Sequence, residues 1–169
     1  MTADIEVRRF ISADLPDVVE FALRAWEPVF ASLRGVLGDA IFLRLHPDWR
    51  ADQAAAVSAS CTDPERDVFV AVLEGRPVGF TSVGLNAFQE RMGVIDIVAT
   101  DPDYQRQGVA RALTAAALDH MRDTGMDIAV VETGGDIGHA PARASYEDSR
   151  FTLLPIARYF QLIEPRPVR

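Results

Sequence analysis

The stretch Asp101-Pro102-Asp103-Tyr104-Gln105-Arg106-Gln107-Gly108-Val109-Ala110-Arg111 decides how this chain is read. Before it, Gly93 to Thr100 is apolar enough for a strand. After it, Val109, Leu113, Ala117 and Met121 recur at helical spacing, which predicts a helix over 106–124 that stops at Gly125. A strand feeding a helix through a glycine-bearing turn leaves several backbone N–H groups without acceptors at the positive end of the helix dipole. Such a terminus attracts anions, phosphate above all. Gly108 has no Cβ to hold a phosphate off the backbone, and Arg106 and Arg111 can add guanidinium contacts in bidentate geometry.

Composition narrows the function classes. The 169 residues carry 25 acidic side chains against 17 basic ones, all of them arginine, for a formal net charge of -8. With no lysine, neither a Walker-type phosphate loop nor Schiff-base chemistry is available. An isoelectric point near 4.8 argues against nucleic-acid binding, which needs a positive surface to displace counterions. No run approaches the roughly 18 apolar residues of a membrane span, and the first residues lack a signal-peptide core. A soluble, cytoplasmic protein is expected, with no membrane partner. Cys61 stands alone and reads as a small buried hydrophobe; with no ligand cluster in the sequence, no metal is expected.

Outward from the central stretch, residues 5–10 predict a short strand and 14–34 a helix, with Leu15, Val18, Val19, Ala22, Leu23 and Trp26 at helical spacing. A second helical stretch, 39–60, is interrupted at His46-Pro47. Strands at 68–73 and 77–85 flank Glu74-Gly75-Arg76 as a hairpin. Beyond the central helix, 128–132 predicts a strand and 140–149 a helix. The tail 151–163 reads as one or two further strands, weakened at Pro155. The pattern gives one α/β domain over residues 1–169 with a mixed sheet.

Gln105-x-x-Gly108-x-Ala110 resembles the Gln/Arg-x-x-Gly-x-Gly/Ala signature of the GCN5-related N-acetyltransferases, the GNAT superfamily. Ile95-Asp96-Ile97-Val98-Ala99-Thr100 precedes it as that family's central strand does. Ala140-Pro141-Ala142-Arg143-Ala144-Ser145-Tyr146-Glu147 resembles the second motif, which ends in tyrosine and then Gly-Phe. Element order agrees over residues 5–164. Two positions depart: His139 replaces the usual Asn seven residues before the tyrosine, and Arg150 replaces the Gly before Phe151. Without that glycine, the last helix is expected to close differently.

The resemblance implies a mixed, mostly antiparallel sheet flanked by helices, with two central strands splayed into an acyl-CoA cleft. It implies acetyl transfer from acetyl-CoA to a primary amine of a small molecule or peptide, by direct attack in a ternary complex. The pyrophosphate would lie on the loop Gln105, Arg106, Gln107, Gly108, Val109, Ala110, Arg111. The pantetheine arm would lie along Val98, Ala99 and Thr100, where a freed N–H near Val98 or Ala99 polarises the thioester. His139 would contact coenzyme A, cap the last helix or act as base. Tyr146 would protonate the departing thiolate. The amine must lose a proton before attack; Asp96, acidic in an apolar strand, is the first candidate to receive it and Glu132 the second, the alternative for each being a solvated carboxylate. Trp26, Glu27 and Phe30 are candidates to bind the acceptor, or else are core, and the acidic balance favours a cationic amine. A homodimer through 151–163 is plausible. The rival reading is a catalytically silent acyl-CoA sensor or regulatory module.

Overall fold

A computed structural model describes residues 4–163. The extreme ends of the expected 1–169 domain lie outside the described residues. Five strands, β1 (Glu6–Arg9), β2 (Arg66–Leu73), β3 (Arg76–Gly84), β4 (Met92–Thr100) and β5 (Ile128–Val131), form one open sheet in sequence order. The first three pairings are antiparallel and β4–β5 is parallel. The helices are α1 (Leu15–Leu37), α2 (Asp39–Leu45), α3 (Trp49–Thr62), α4 (Val109–Asp123) and α5 (Ala140–Asp148). The expected interruption at His46-Pro47 separates α2 from α3. None of the described helices is long and apolar enough to cross a membrane.

The helices cover both faces of the sheet. On one face Val18, Phe21 and Ala22 of α1 and Val57 and Cys61 of α3 pack on Val68, Val70, Phe80 and Ala99. On the other, Val109, Leu113, Ala117 and Met121, the stripe seen in the sequence, pack on Ala71, Val78, Val83 and Ile95. Cys61 is buried, which pushes its thiol up to about 11 and leaves it unreactive at neutral pH.

β4 contains the irregularity that matters. Ser82 pairs with Ile97 while the next residue, Val83, pairs with Ile95, so Asp96 is an extra residue in the ladder. A regular strand sends residues two apart to the same face. Here Ile95 packs in the α4 core and Ile97 in the α1–α3 core. Such a bulge bends its strand and ends regular pairing. Accordingly β5 pairs with β4 only from Met92 to Ile95, and Asp96–Thr100 continues without a β5 neighbour. This is the expected splay.

The tail corrects the sequence reading. Residues 151–163 form no strand. Leu153, Leu154, Ile156 and Tyr159 are exposed, Tyr159 by 90%. A strand needs a partner ladder, and none forms along this stretch, while Pro155 lacks a donor. α5 also ends differently from the expectation. Arg150 itself adopts the left-handed φ of 66° that a glycine would have supplied. The Arg150 N–H then donates to Glu147 O at 2.9 Å and the Phe151 N–H to Tyr146 O at 3.0 Å, the paired bonds of a glycine-type helix stop.

Candidate active site

The loop before α4 is an open array of donors. Arg106 has φ of 60° and Gly108, the residue capping α4, has φ of 92°. The first bond of the helix runs from Ala112 N–H to Gly108 O, and no side chain caps its start. Among the described residues, the N–H groups of Gln107, Gly108, Val109, Ala110 and Arg111 therefore find no acceptor. Gln105, Arg106, Gln107 and Gly108 are exposed, as is Arg111. Neither Arg106 nor Arg111 meets an acidic partner among the described residues, so both guanidinium groups are free for an anion. The buried Thr100 Oγ at the end of β4 is likewise without a partner. Converging N–H groups with nearby arginines fit a pyrophosphate, and the unpaired β4 edge beside them fits an amide-bearing arm.

Arg24 of α1 fixes this loop in place. Its guanidinium reaches Asp101 at 2.8 Å and Asp103 at 3.0 Å, and Asp101 in turn accepts from the Asp103 N–H. Val98 packs at the margin of the α4 core, whereas Ala99 and Thr100 are buried.

Across the gap, β5 runs out at Val131 into an exposed Glu132 and then a short 3-10 turn, Ile137–His139, that leads into α5. Tyr146 on α5 packs edge-on against Phe151 at 5.9 Å between ring centres. A small cavity beside it is lined by Thr133, Arg143, Glu147 and Leu153. Burial pushes the Tyr146 phenol up to about 12, so it stays protonated across the neutral range and is a donor, not a base.

The sequence profile described as the acetyltransferase (GNAT) family matches residues 30–150. This chain belongs to the GNAT family. Mycothiol acetyltransferase of Thermomonospora curvata is 28% identical over 123 residues, which are 71% of this chain and 40% of that protein. The chain spans less than half the length of the curated relatives it matches. An aminoglycoside acetyltransferase from an uncultured soil metagenomic sample, solved in complex with sisomicin, superposes with a TM-score of 0.62 at 19% identity, covering 95% of this chain and 97% of that one. The PaiA N-acetyltransferase of Thermoplasma acidophilum, solved in complex with coenzyme A, gives a TM-score of 0.61 at 15% identity, covering 86% and 88%. At these identities the likeness is one of fold.

Within this GNAT domain the remaining candidates fall into different environments. The Asp96 carboxylate is engaged by Arg66 at 3.0 Å. Arg66 lies across Gly84, directly opposite it on β3. Trp26 packs at the margin of the α1–α3 core. Phe30 is buried, stacked on Trp49 at 4.4 Å and set edge-on to Phe42 and His46, so its ring faces are occupied by neighbours. Glu27 is paired with Arg50 at 2.6 Å, and Arg50 also lies over Trp49. An acceptor ammonium would thus meet Glu27 only in competition with an arginine.

Several residues that shape the site gave no signal in the sequence. Arg66 and Arg24 act through partners far along the chain. Ser32 of α1 donates to Asp136 at 2.5 Å across 104 positions. Asp136 also bonds the His139 ring and accepts from the Gly138 N–H, and Arg143 holds the Gly134 and Asp136 carbonyls. Only the Asp136-to-His139 spacing, typical of a residue capping a short turn, hints at it beforehand.

Proposed function

We propose that this chain transfers an acetyl group from acetyl-CoA to a primary amine of a small molecule or peptide, by direct attack while both are bound. The observation that carries the reading is the unpaired donor array from Gln107 to Arg111, beside the stretch of β4 that β5 leaves open. Backbone N–H groups there would bind the pyrophosphate, and Val98 to Thr100 would offer their unpaired edge to the pantetheine amides. A thioester entering the splay would meet a β4 N–H near Val98 or Ala99 as an oxyanion donor. The Tyr146 hydroxyl would donate to the departing sulfur. Asp96 and Glu132 are the carboxylates at the gap available to receive the ammonium proton, directly or through water.

The acceptor is a cationic amine in this reading. The formal charge of -8 draws cations toward the surface, and the mycothiol and aminoglycoside enzymes it resembles carry names that fit small polar acceptors. The domain acts as a single catalytic unit, and the exposed apolar side chains of the tail support a homodimer contact there. Coenzyme A release is the test, measured against polyamines, aminoglycosides, peptide amines, and neutral and acidic acceptors. Turnover should concentrate among the cationic amines. Tight acetyl-CoA binding with no release for any acceptor would instead show a silent acyl-CoA module.

A further inference from the structure

Resting on the acyl-transfer reading above, we propose that Arg66 is a positioning residue for the reaction: by holding Asp96 across Gly84, it fixes the point at which β4 parts from β5. Arg66 lies on β2 and Asp96 on β4, with β3 between them. Neighbouring strands are about 4.8 Å apart, so the pair must span roughly 10 Å of sheet. An arginine covers that distance only by lying flat over the middle strand. Gly84 makes the room for it. Gly84 pairs with Arg66 on one side and Val94 on the other, and a Cβ there would stand 2.1 Å from Arg66 Nη1. From that position Nη2 reaches Asp96 Oδ2 at 3.0 Å.

The residue held is the extra one. Asp96 has no partner on β3, because Ser82 pairs with Ile97 and Val83 with Ile95. Shifting an extra residue by one place along a strand turns a side chain over to the other face. Ile95 and Ile97 serve different cores, so the bulge has one favourable place, and the carboxylate that emerges there is met by a guanidinium. The frame around the pair is anchored as well. The buried Ser82 accepts from the Ser60 hydroxyl of α3 at 2.7 Å, and Arg66 also lies 3.8 Å from Asp63, the residue that caps the end of α3. On the far side, β5 pairs with β4 as far as Ile95. The last residue shared with β5 and the residue held by Arg66 are therefore neighbours in sequence.

This pair does more for position than for global stability. The Arg66 and Asp96 side chains are 27% and 35% exposed, and an ion pair so open to water adds little to folding free energy. Its effect is local, on where the free edge from Asp96 to Thr100 begins. In the acyl-transfer reading that edge receives the pantetheine arm and offers the thioester an N–H donor. A donor moved off its line loses much of its value to a developing oxyanion. Asp96 thus acts through the strand, and the ammonium proton is left to Glu132 or to water.

The test uses the whole chain, with coenzyme A release measured on an amine that the wild type acetylates and acetyl-CoA affinity measured by calorimetry. Arg66→Gln, Asp96→Asn and Gly84→Ala should each lower kcat about tenfold, with acetyl-CoA affinity within about threefold of wild type. Gly84→Ala is the most pointed of the three, because its Cβ meets the mobile end of Arg66 and displaces it without removing a charge. Arg66→Gln combined with Asp96→Asn should lose no more than either alone, since the two act as one unit. The pH profile of Asp96→Asn should keep the wild-type shape. Amide hydrogen exchange gives a readout without turnover. In all three variants exchange at Ile95 to Val98 should rise at least about threefold, while exchange at Leu113 to Met121 stays as in wild type. Losses that multiply in the double variant, disappearance of the acid limb in Asp96→Asn, or unchanged exchange at Ile95 to Val98 would overturn the proposal. A wild-type chain that binds acetyl-CoA and acetylates no amine overturns the acyl-transfer reading instead, and the exchange measurement alone then decides whether Arg66 holds the bulge.

Discussion

Between Thr100 and Val109 this chain presents bare backbone, whereas between Val131 and Ala140 it ties itself down with side chains. The first loop keeps its donors unpaired and exposed; its side-chain anchor, Arg24, grips it from behind through Asp101 and Asp103. The second spends its polar groups on itself, with Ser32, Asp136, His139 and Arg143 all engaged. A backbone site suits a ligand part whose shape never varies, such as a pyrophosphate. A side-chain network suits the placement of one titratable group to within a fraction of an ångström. The two loops follow adjacent parallel strands, β4 and β5, whose pairing ends next to a single extra residue, Asp96.

The contrast breaks most sharply at Gly108. Gly108→Val forces a β-branched residue into φ of 92° and sets its side chain at the donor array. Acetyl-CoA affinity measured by calorimetry should fall at least about 100-fold, or roughly 3 kcal/mol. The fold should persist, because the loop is exposed. Gly138→Val is the matching break on the other side. Its clash with Ser32 should lower stability by about 1–3 kcal/mol in thermal unfolding, while acetyl-CoA affinity stays within a few-fold of wild type. Equal effects of both variants on acetyl-CoA binding would contradict the division of labour.

The donor loop was legible in the sequence and the side-chain network that fixes the second loop was not, for a physical reason. Gln105 to Ala110 sets its geometry within one turn, so a local pattern carries it. The Ser32–Asp136 bond joins residues with no shared local pattern. The bulge at Asp96 was equally hidden: an acidic residue in an apolar strand signals an interruption of burial, and only the pairing with β3 shows it as an insertion. The tail strands were read from one local stretch, which cannot report whether a partner edge exists. At Arg150 the opposite error arose, since a left-handed helix stop is favoured by glycine but does not require it.

Acid should release the second loop before the first. The depressed Asp136 carboxylate contributes stability that is complete above the ordinary carboxylate range and is lost as pH falls through its lowered value. The stability gap between wild type and Asp136→Asn should be largest near pH 6, at about 1–3 kcal/mol, and shrink only as pH falls below the ordinary carboxylate range. A gap that stays the same from about pH 6 down to strongly acidic pH would mean that the charge is irrelevant. The smallest effect is a gain: Arg150→Gly relieves a left-handed arginine and should stabilise the chain by about 1 kcal/mol, leaving the loop at Gly108 unaffected.

The most direct measurement follows backbone amide resonances while acetyl-CoA is added. The account predicts that the N–H groups of Gln107 to Arg111 shift the most and become protected from exchange, with Val98 to Thr100 next. Saturable binding that leaves Gln107 to Arg111 unmoved would contradict it.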